Sequence, residues 1–397
     1  MQRAMLKWNN VPTQVITEGR WVEEGLLGYG KKDVVVVIPG NPGIPEFYEG
    51  FIKSLKTKLP TETPVWVIGH AGHVQPPNNL TITMPSDSTW TEHYSLIAQL
   101  EHKKSFIKKY VPEDAKLHLI GHSIGSWIVL HMLEDDSISK RVKKCYLLFP
   151  TIEHMATSSN GQFFTKIVSH IAFFLIFLCW ILSCLPISLQ LFAVNIFAPL
   201  YGIPRKCTKA VHQLLNPRNL KNVFRMANEE MQIVKERDDH ILVKHADKLW
   251  FYYGNCDGWT PVQYYRNMKS KHPNMNAELC KHGYHHSFVL QFDKEMGMEC
   301  SLGPKNFLEK VIDSCPTIFD TSDKSFCCFN IENNKTYCCD ATEFAMLSSW
   351  VLITVIVVVV IVLLLVGFCV SCLCCVFCRR HRRRYQGTVY GREYLFI

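Results

Sequence analysis

The chain has 397 residues, a hydrophobic fraction of 48% and a formal net charge of +8. This length and apolar content suffice for a sizeable hydrophobic core, in one large domain or two smaller ones. Five arginines in the block RRHRRR (379–384) supply over half of the excess charge, so the rest of the chain is only mildly basic. Without zinc-ligand spacing or a basic stripe interleaved with aromatic residues, the sequence argues against nucleic acid as a partner.

The predicted elements alternate between strands and helices as far as residue 150. Continuous apolar runs predict buried strands, and helical spacing of apolar residues predicts amphipathic helices. Strands are predicted at 33–40, 65–70, 116–120, 143–150 and 248–254, and helices at 46–59, 90–111 and from 124 to about 133. Because strands buried on both faces alternate with helices, the sequence predicts an α/β fold with a parallel sheet.

A long insertion separates the strand ending at 150 from the strand beginning at 248, and it is much longer than an ordinary connection. An apolar run from Ile167 to Pro186 is near the length that spans a bilayer, and a second, shorter run follows. Its large apolar side chains include Phe173, Phe174 and Trp180. We predict a hairpin that enters a membrane or lipid monolayer and returns on the same side. A pair of buried lid helices is the alternative.

The pentapeptide GHSIG (121–125) has the form G-x-S-x-G and lies between a predicted strand and a predicted helix. Small residues on both sides of a serine allow the strand and the helix to pack closely beneath a strained turn. Ser123 is therefore a candidate nucleophile. The N–H of Ile124, at the start of the helix, is a candidate donor to an oxyanion. An incidental Gly-Ser-Gly turn is the alternative.

A nucleophilic serine requires a base and an orienting acid, which follow such a turn in the order Asp, His. Asp257 comes just after a predicted strand and is the candidate acid, although it could instead cap its own turn. Among the histidines that follow, we favour His286 as the base because it opens an apolar helix. His285 is its main competitor, and we expect His122 to pack beside the serine.

A second oxyanion donor is expected in the loop PGNPGIPEFY (39–48), which follows the first predicted strand. Pro39 and Pro42 have no N–H, which leaves Gly40, Asn41 and Gly43 as possible donors. We favour Asn41 because it directly follows Gly40.

Five segments carry a resemblance to a known family: IPGNPGIPEFYEGF, GHAGH, GHSIGSW, YGNCDGWTP and HHSFVL. They resemble the lipid droplet-associated hydrolases of the α/β-hydrolase superfamily, over roughly residues 10–300. The resemblance implies an α/β-hydrolase fold with Ser123 as nucleophile, Asp257 as acid and His286 as base. It also implies a serine hydrolase of lipid esters, with sterol esters as the proposed substrate.

The resemblance further implies binding to lipid droplets and the endoplasmic reticulum through the central apolar segment. We expect the hydrolase domain to face the cytosol, and we expect neither a metal nor an organic cofactor. The alternative function is a membrane-anchored scaffold of lipid droplets with little or no hydrolase activity. The sequence predicts no particular protein partner.

The sequence departs from this family after about residue 305. Ten of the 17 cysteines lie between Cys315 and Cys378, whereas the seven before them are scattered as in buried free thiols. More than 20 apolar residues from Trp350 predict a transmembrane helix. The predicted parts are a hydrolase core (1–150 and 248–305), a cap with the hairpin (151–247), a cysteine-rich linker (306–345), a transmembrane helix (346–376) and a basic cytosolic tail (377–397).

The predicted topology contains a conflict. A cytosolic basic tail places the cysteine-rich linker in the lumen, yet no apolar leader directs the hydrolase part there. Three explanations stay open. The positive-inside rule, which places the basic tail in the cytosol, is overridden; or the hydrolase part is lumenal; or two normally separate coding regions have been joined.

Overall fold

The structure is a computed structural model that describes residues 1–24, 32–77, 80, 82–200, 202–299, 326–330 and 335–339. The chain divides into two units, Met1–Ser314 and Cys315–Ile397. The predicted transmembrane helix and basic tail lie outside the described residues, as does most of the predicted linker.

The first unit is built around an eight-stranded sheet. Its strands are β1 (Gln2–Trp8), β2 (Val11–Glu18), β3 (Asp33–Ile38), β4 (Val65–Ile68), β5 (Lys116–His122), β6 (Val142–Leu148), β7 (Leu249–Tyr253) and β8 (Ala277–Leu279). Their order across the sheet is β1-β2-β4-β3-β5-β6-β7-β8. All neighbours from β4 to β8 are parallel, whereas β2 runs antiparallel to both β1 and β4.

The central strand β3 is buried on both faces, as its uninterrupted β-branched sequence predicts. Val34, Val36 and Ile38 pack into the hydrophobic core on one side of the sheet. Val35 and Val37 pack into the core on the other side. This alternation follows from the two-residue repeat of a strand. Because β3 is fourth in the order of eight strands, its carboxyl end lies near the middle of the sheet edge.

Helices cover both faces of the sheet and form the long insertion. They are α1 (Glu49–Lys56), α2 (Trp90–Tyr94), α3 (Leu96–Tyr110), α4 (Ile124–Met132), α5 (Asp136–Ser139), α6 (Ser159–Phe163), α7 (Ser169–Ser183), α8 (Ile187–Leu200), α9 (Thr208–Leu214), α10 (Pro217–Ile233), α11 (Asp239–Lys244), α12 (Val262–Lys271), α13 (Phe288–Gln291) and α14 (Asp293–Glu299). The strand and helix alternation confirms the predicted α/β class.

One predicted helix is in fact two. The stretch predicted as a single helix over 90–111 breaks at Ser95, whose backbone is extended at φ −61° and ψ 162°. The Ser95 hydroxyl accepts from the Ala98 N–H and so caps the start of α3. A local hydrogen bond that favours a new helix start therefore outweighs the continuous apolar spacing.

The insertion between β6 and β7 contains an exposed apolar helical hairpin. One continuous helix, Ser159–Ser183, includes α7 and is long and apolar enough to cross a membrane. Only 11% of its most apolar stretch is buried within the protein. The chain turns at Pro186 and returns through the shorter apolar helix α8. The alternative of a buried lid is wrong, because Phe173 is 82% exposed and Trp180 is 54% exposed.

The second unit contains a short hairpin within the cysteine-rich sequence. Strands β9 (Phe326–Asn330) and β10 (Lys335–Cys339) pair antiparallel, with Cys327 opposite Cys338. In the first unit, Cys145, Cys179, Cys184, Cys207 and Cys280 are free. Cys256 is disulfide-bonded, so the expectation of a free thiol is wrong at that position.

Candidate active site

Ser123 lies on a strained turn between β5 and α4. Its backbone has φ 55° and ψ −124°, in a region that residues with a side chain rarely adopt. The Ser123 N–H donates to the Leu148 carbonyl at 2.9 Å, which ties the turn to the neighbouring strand. The serine is thus raised at the carboxyl end of the sheet, as the pentapeptide predicts.

The two glycines of the pentapeptide allow the close packing beneath this turn. A Cβ at Gly125 would lie 2.2 Å from the Ile38 carbonyl oxygen of β3. A Cβ at Gly121 would lie 2.6 Å from the Gly125 carbonyl oxygen. Since backbone atoms cannot move aside cheaply, both positions require glycine.

The three side chains expected to act together form one hydrogen-bonded row. Ser123 Oγ lies 2.8 Å from His286 Nε2, and His286 Nδ1 lies 2.7 Å from Asp257 Oδ2. The carboxylate of Asp257 is completely buried, whereas the His286 side chain keeps 17% exposure. His285, the competing histidine, packs its ring against Phe292 and is not the partner of Ser123.

Four interactions hold the Asp257 carboxylate and keep it ionised. Burial alone would raise its pKa, but the His286 imidazole and hydrogen bonds from Thr260 and Trp259 lower it below the usual value. Oδ1 accepts the N–H groups of Trp259 and Thr260, and Oδ2 accepts the Thr260 hydroxyl at 2.6 Å. An ionised carboxylate can only accept, so His286 Nδ1 carries the proton and Nε2 is free to accept from Ser123. Asp257 both caps its own turn and orients the imidazole.

A second hydrogen-bonded row lies behind the histidine and involves His122. The Gly40 N–H donates to Tyr48 Oη at 2.8 Å, and Tyr48 Oη lies 2.6 Å from His122 Nδ1. His122 Nε2 lies 2.8 Å from the His286 carbonyl oxygen. The carbonyl can only accept, so Nε2 donates to it and Nδ1 accepts from the tyrosine. Burial lowers the pKa of His122 to about 3, which keeps this ring neutral.

The expectation that His122 packs beside the serine is therefore correct but incomplete. The ring also connects the loop at Gly40 to the backbone of His286. Tyr48 carries no signal of its own in the sequence beyond its place in the segment that resembles the known family.

The two expected oxyanion donors come from different elements at the same edge of the sheet. Ile124 opens α4, so its N–H has no acceptor within the helix. The loop after β3 approaches the nucleophile closely, since a Cβ at Gly40 would lie 3.0 Å from Ser123 Cβ. Asn41 follows directly, and its side chain donates to Glu230 of α10. Nothing in the sequence pattern linked Glu230 to this loop.

Within the described part of the chain, no group of three or more His, Cys, Asp or Glu side chains is arranged to hold a metal ion. The groups gathered at the sheet edge are instead a hydroxyl, an imidazole, a carboxylate and backbone N–H donors. Such a set can activate a hydroxyl and stabilise negative charge on oxygen.

The order of the strands and the serine on a strained strand-to-helix turn define an α/β-hydrolase. The family model described as lipid-droplet associated hydrolase matches residues 31–289. The chain belongs to this family, and it is accordingly a hydrolase.

Relatives of the same description occur in distant animals. The chain is 40% identical over 300 residues to the lipid droplet-associated hydrolase of Drosophila melanogaster, covering 75% of this chain and 96% of that protein. It is 34% identical over 330 residues to the lipid droplet-associated hydrolase of Homo sapiens, covering 75% and 93% respectively. Among solved structures, an esterase from Exiguobacterium antarcticum matches with a TM-score of 0.48 and 14% identity, covering 75% of this chain and 97% of that one.

Proposed function

We propose that this protein is a serine esterase that cleaves carboxylic esters of neutral lipids, sterol esters among them. The observation that carries the proposal is the row from Ser123 through His286 to Asp257, with contacts of 2.8 and 2.7 Å. The relatives named lipid droplet-associated hydrolases support the lipid class of the substrate.

Acylation begins when His286 Nε2 takes the proton from Ser123 Oγ, which attacks the ester carbonyl carbon. The carbonyl oxygen becomes an oxyanion that the N–H groups of Ile124 and Asn41 stabilise. Asp257 stabilises the imidazolium that forms. The carbon–oxygen bond to the alcohol then breaks, and the alcohol leaves with the proton from His286 Nε2.

Deacylation repeats these steps with water as the nucleophile. His286 Nε2 takes a proton from the water, whose oxygen attacks the acyl carbon bound to Ser123. The same two N–H groups hold the second oxyanion. When the bond to Ser123 Oγ breaks, the serine regains its proton and the fatty acid is released.

The hairpin of α7 and α8 supports a location at the lipid droplet monolayer and the endoplasmic reticulum membrane. Its exposed apolar side chains suit a surface of lipid rather than water. Ser123 precedes the hairpin and His286 follows it, yet they lie 2.8 Å apart. Because a single crossing would separate them, the chain must enter and leave on one side, which we assign to the cytosol. The proposal treats 151–247 as the cap of a core formed by 1–150 and 248–305.

Replacing Ser123 with alanine tests this function. We expect Ser123→Ala to abolish hydrolysis of cholesteryl oleate presented in phospholipid-coated emulsion droplets, with an unchanged melting temperature. Ser137→Ala is the matched control, since Ser137 is exposed on α5 and should leave turnover unchanged.

The same pair of variants separates the esterase from a lipid droplet scaffold. The esterase proposal expects Ser123→Ala to lose its effect on the neutral lipid content of cells. If Ser123→Ala kept both ester turnover and this cellular effect, the enzyme proposal would be wrong and the scaffold would be favoured.

A further inference from the structure

The side chain of Asn41 is fastened to helix α10 of the insertion. Asn41 Nδ2 donates to Glu230 Oε1 at 2.9 Å and to the Val223 carbonyl at 3.1 Å. The Val223 carbonyl can only accept, so the nitrogen end of the amide must face α10. Both hydrogens of this nitrogen are used, and turning the amide would break both bonds.

Glu230 is an unusual partner because its side chain is buried. The residue is 1% exposed. Burial raises the pKa of Glu230 to about 8, although the Asn41 hydrogen bond lowers it and the Glu229 carboxylate raises it. The side chain is therefore mainly a neutral acid near pH 7, which still offers its carbonyl oxygen as an acceptor.

Helix α10 is itself fixed to the core of the protein. Glu229 Oε2 accepts the Leu96 N–H at 2.8 Å, at the start of α3. Asn222 Nδ2 donates to the Gly72 carbonyl at 3.0 Å, and the Trp90 indole donates to Asn222 Oδ1 at 3.1 Å. Glu230 is thus presented to Asn41 from a rigid position.

The peptide that carries the Asn41 N–H runs between two anchors. On one side, the Gly40 N–H donates to Tyr48 Oη at 2.8 Å. On the other side, the Asn41 side chain is held by Glu230. Between them the loop passes close to Ser123, where an oxyanion would form.

We propose that Glu230 is a positioning residue that holds the Asn41 N–H in the oxyanion hole through the Asn41 side chain. This inference rests on the proposed function, because Asn41 has an oxyanion to stabilise only if Ser123 attacks an ester. Glu230 acts through Asn41 and does not touch the substrate. Its removal should therefore lower kcat and leave KM nearly unchanged.

The test measures hydrolysis of p-nitrophenyl butyrate by the full chain in detergent micelles. Loss of a whole oxyanion donor costs about 100- to 1,000-fold in kcat, so we expect the displacement caused by Glu230→Ala to cost about 10- to 100-fold. Glu230→Gln should restore kcat to within about threefold of wild type, since its amide is neutral and keeps the acceptor oxygen. Thermal unfolding of each variant shows that it is folded.

Asn41→Ala and the double variant complete the experiment. Asn41→Ala keeps the backbone N–H but loses the same anchor, so we expect a similar loss of kcat. The double variant should be no worse than either single variant, because both changes remove one contact. If Glu230→Ala does not fold, Glu230→Met takes its place, because methionine has a similar length and lacks the acceptor oxygen, and the same loss of kcat is expected.

Three results would overturn the inference: wild-type kcat in Glu230→Ala or Asn41→Ala, additive losses in the double variant, or no rescue by Glu230→Gln in a folded protein. Each of these leaves Ser123-dependent turnover in the wild-type chain intact. Turnover that Ser123→Ala does not remove would instead overturn the proposed function, and this inference with it.

Discussion

Tyr48 shows how one buried hydroxyl can hold two parts of the candidate active site. It accepts from the Gly40 N–H in the oxyanion loop and donates to His122, which in turn donates to the His286 carbonyl. Gly40, Tyr48 and His122 are all buried. Removing the hydroxyl would leave a buried donor and a buried acceptor without a partner.

We therefore expect Tyr48→Phe to lower the free energy of unfolding by about 1–3 kcal/mol, the cost of unsatisfied buried polar groups. Urea denaturation measures this loss. Tyr110→Phe, at a partly exposed tyrosine on α3, is the matched control and should change stability by less than about 0.5 kcal/mol. Equal stabilities of the two variants would contradict the role of this row.

Some residues of the candidate site can be predicted from the sequence, whereas others cannot. The difference lies in whether a residue has a local signal or depends on a partner that is far away along the chain. Ser123, Asp257 and His286 each follow a local signal, such as a glycine-flanked turn or the end of a strand. The bond from Asn41 to Glu230 joins residues 189 positions apart, and the bond from Tyr48 to His122 joins residues 74 positions apart. Because no local pattern encodes such pairs, only the folded chain reveals them.

At the scale of elements, the hairpin exposes large apolar side chains, and such exposure to water is energetically unfavourable. Phe173 and Trp180 on α7, with Phe192 on α8, are each more than half exposed. Burying one such side chain in an apolar environment contributes about 1.5–3 kcal/mol. The docking on lipid that we propose would therefore gain about 4.5–9 kcal/mol from these three side chains.

We expect Phe173→Ser with Trp180→Ser to weaken binding to phosphatidylcholine-coated triolein droplets by at least about 100-fold, since it removes about 3–6 kcal/mol of apolar burial. Flotation of a chain ending at Ser314, checked for folding by circular dichroism, measures this binding. Ile97→Ser with Val243→Ser is the matched control, because both are exposed apolar residues outside the hairpin. Unchanged flotation of the hairpin variant would count against membrane docking by this element.

The strands missed from the sequence were those with weak or short signals. The Asn9-Asn10 turn joins β1 to β2, and both asparagines have positive φ, at 46° and 61°. Asparagine tolerates this conformation, so the pair is a signal for the turn, although the strands on either side of it have weak patterns. Strand β8 has only three residues, Ala277–Leu279, which is too short for a periodic pattern. Its pairing with β7 depends on the rest of the sheet.

At the scale of the whole molecule, buried histidines make stability depend on pH, and four of them illustrate the effect. Burial lowers the pKa of His73 and of His122 to about 3, and it lowers the pKa of His70 and His102 well below 6.5. The folded protein therefore keeps these rings neutral where the unfolded chain protonates them. Below pH of about 6.5 the unfolded state binds more protons, so stability falls with acidification toward a pH of about 3.

Below its pKa in the unfolded chain, each such histidine makes the free energy of unfolding fall by about 1.4 kcal/mol for each pH unit of acidification. We expect His73→Asn, whose oxygen can replace Nδ1 as acceptor for the Gly43 N–H, to reduce the slope by about that amount. Urea unfolding at several pH values gives the slope. His240→Asn, at an exposed histidine, should leave it unchanged. A wild-type slope in His73→Asn would contradict this assignment.

The central claim is that Ser123 is a nucleophile activated by His286 and Asp257, and labelling of the full chain with a fluorophosphonate tests it most directly. Mass spectrometry should find one adduct, on the peptide that contains Ser123. Asp257→Asn should slow labelling by at least about 100-fold, because an amide would stabilise the wrong tautomer of His286. An adduct on another serine, or wild-type labelling rates in a folded Asp257→Asn protein, would contradict the account.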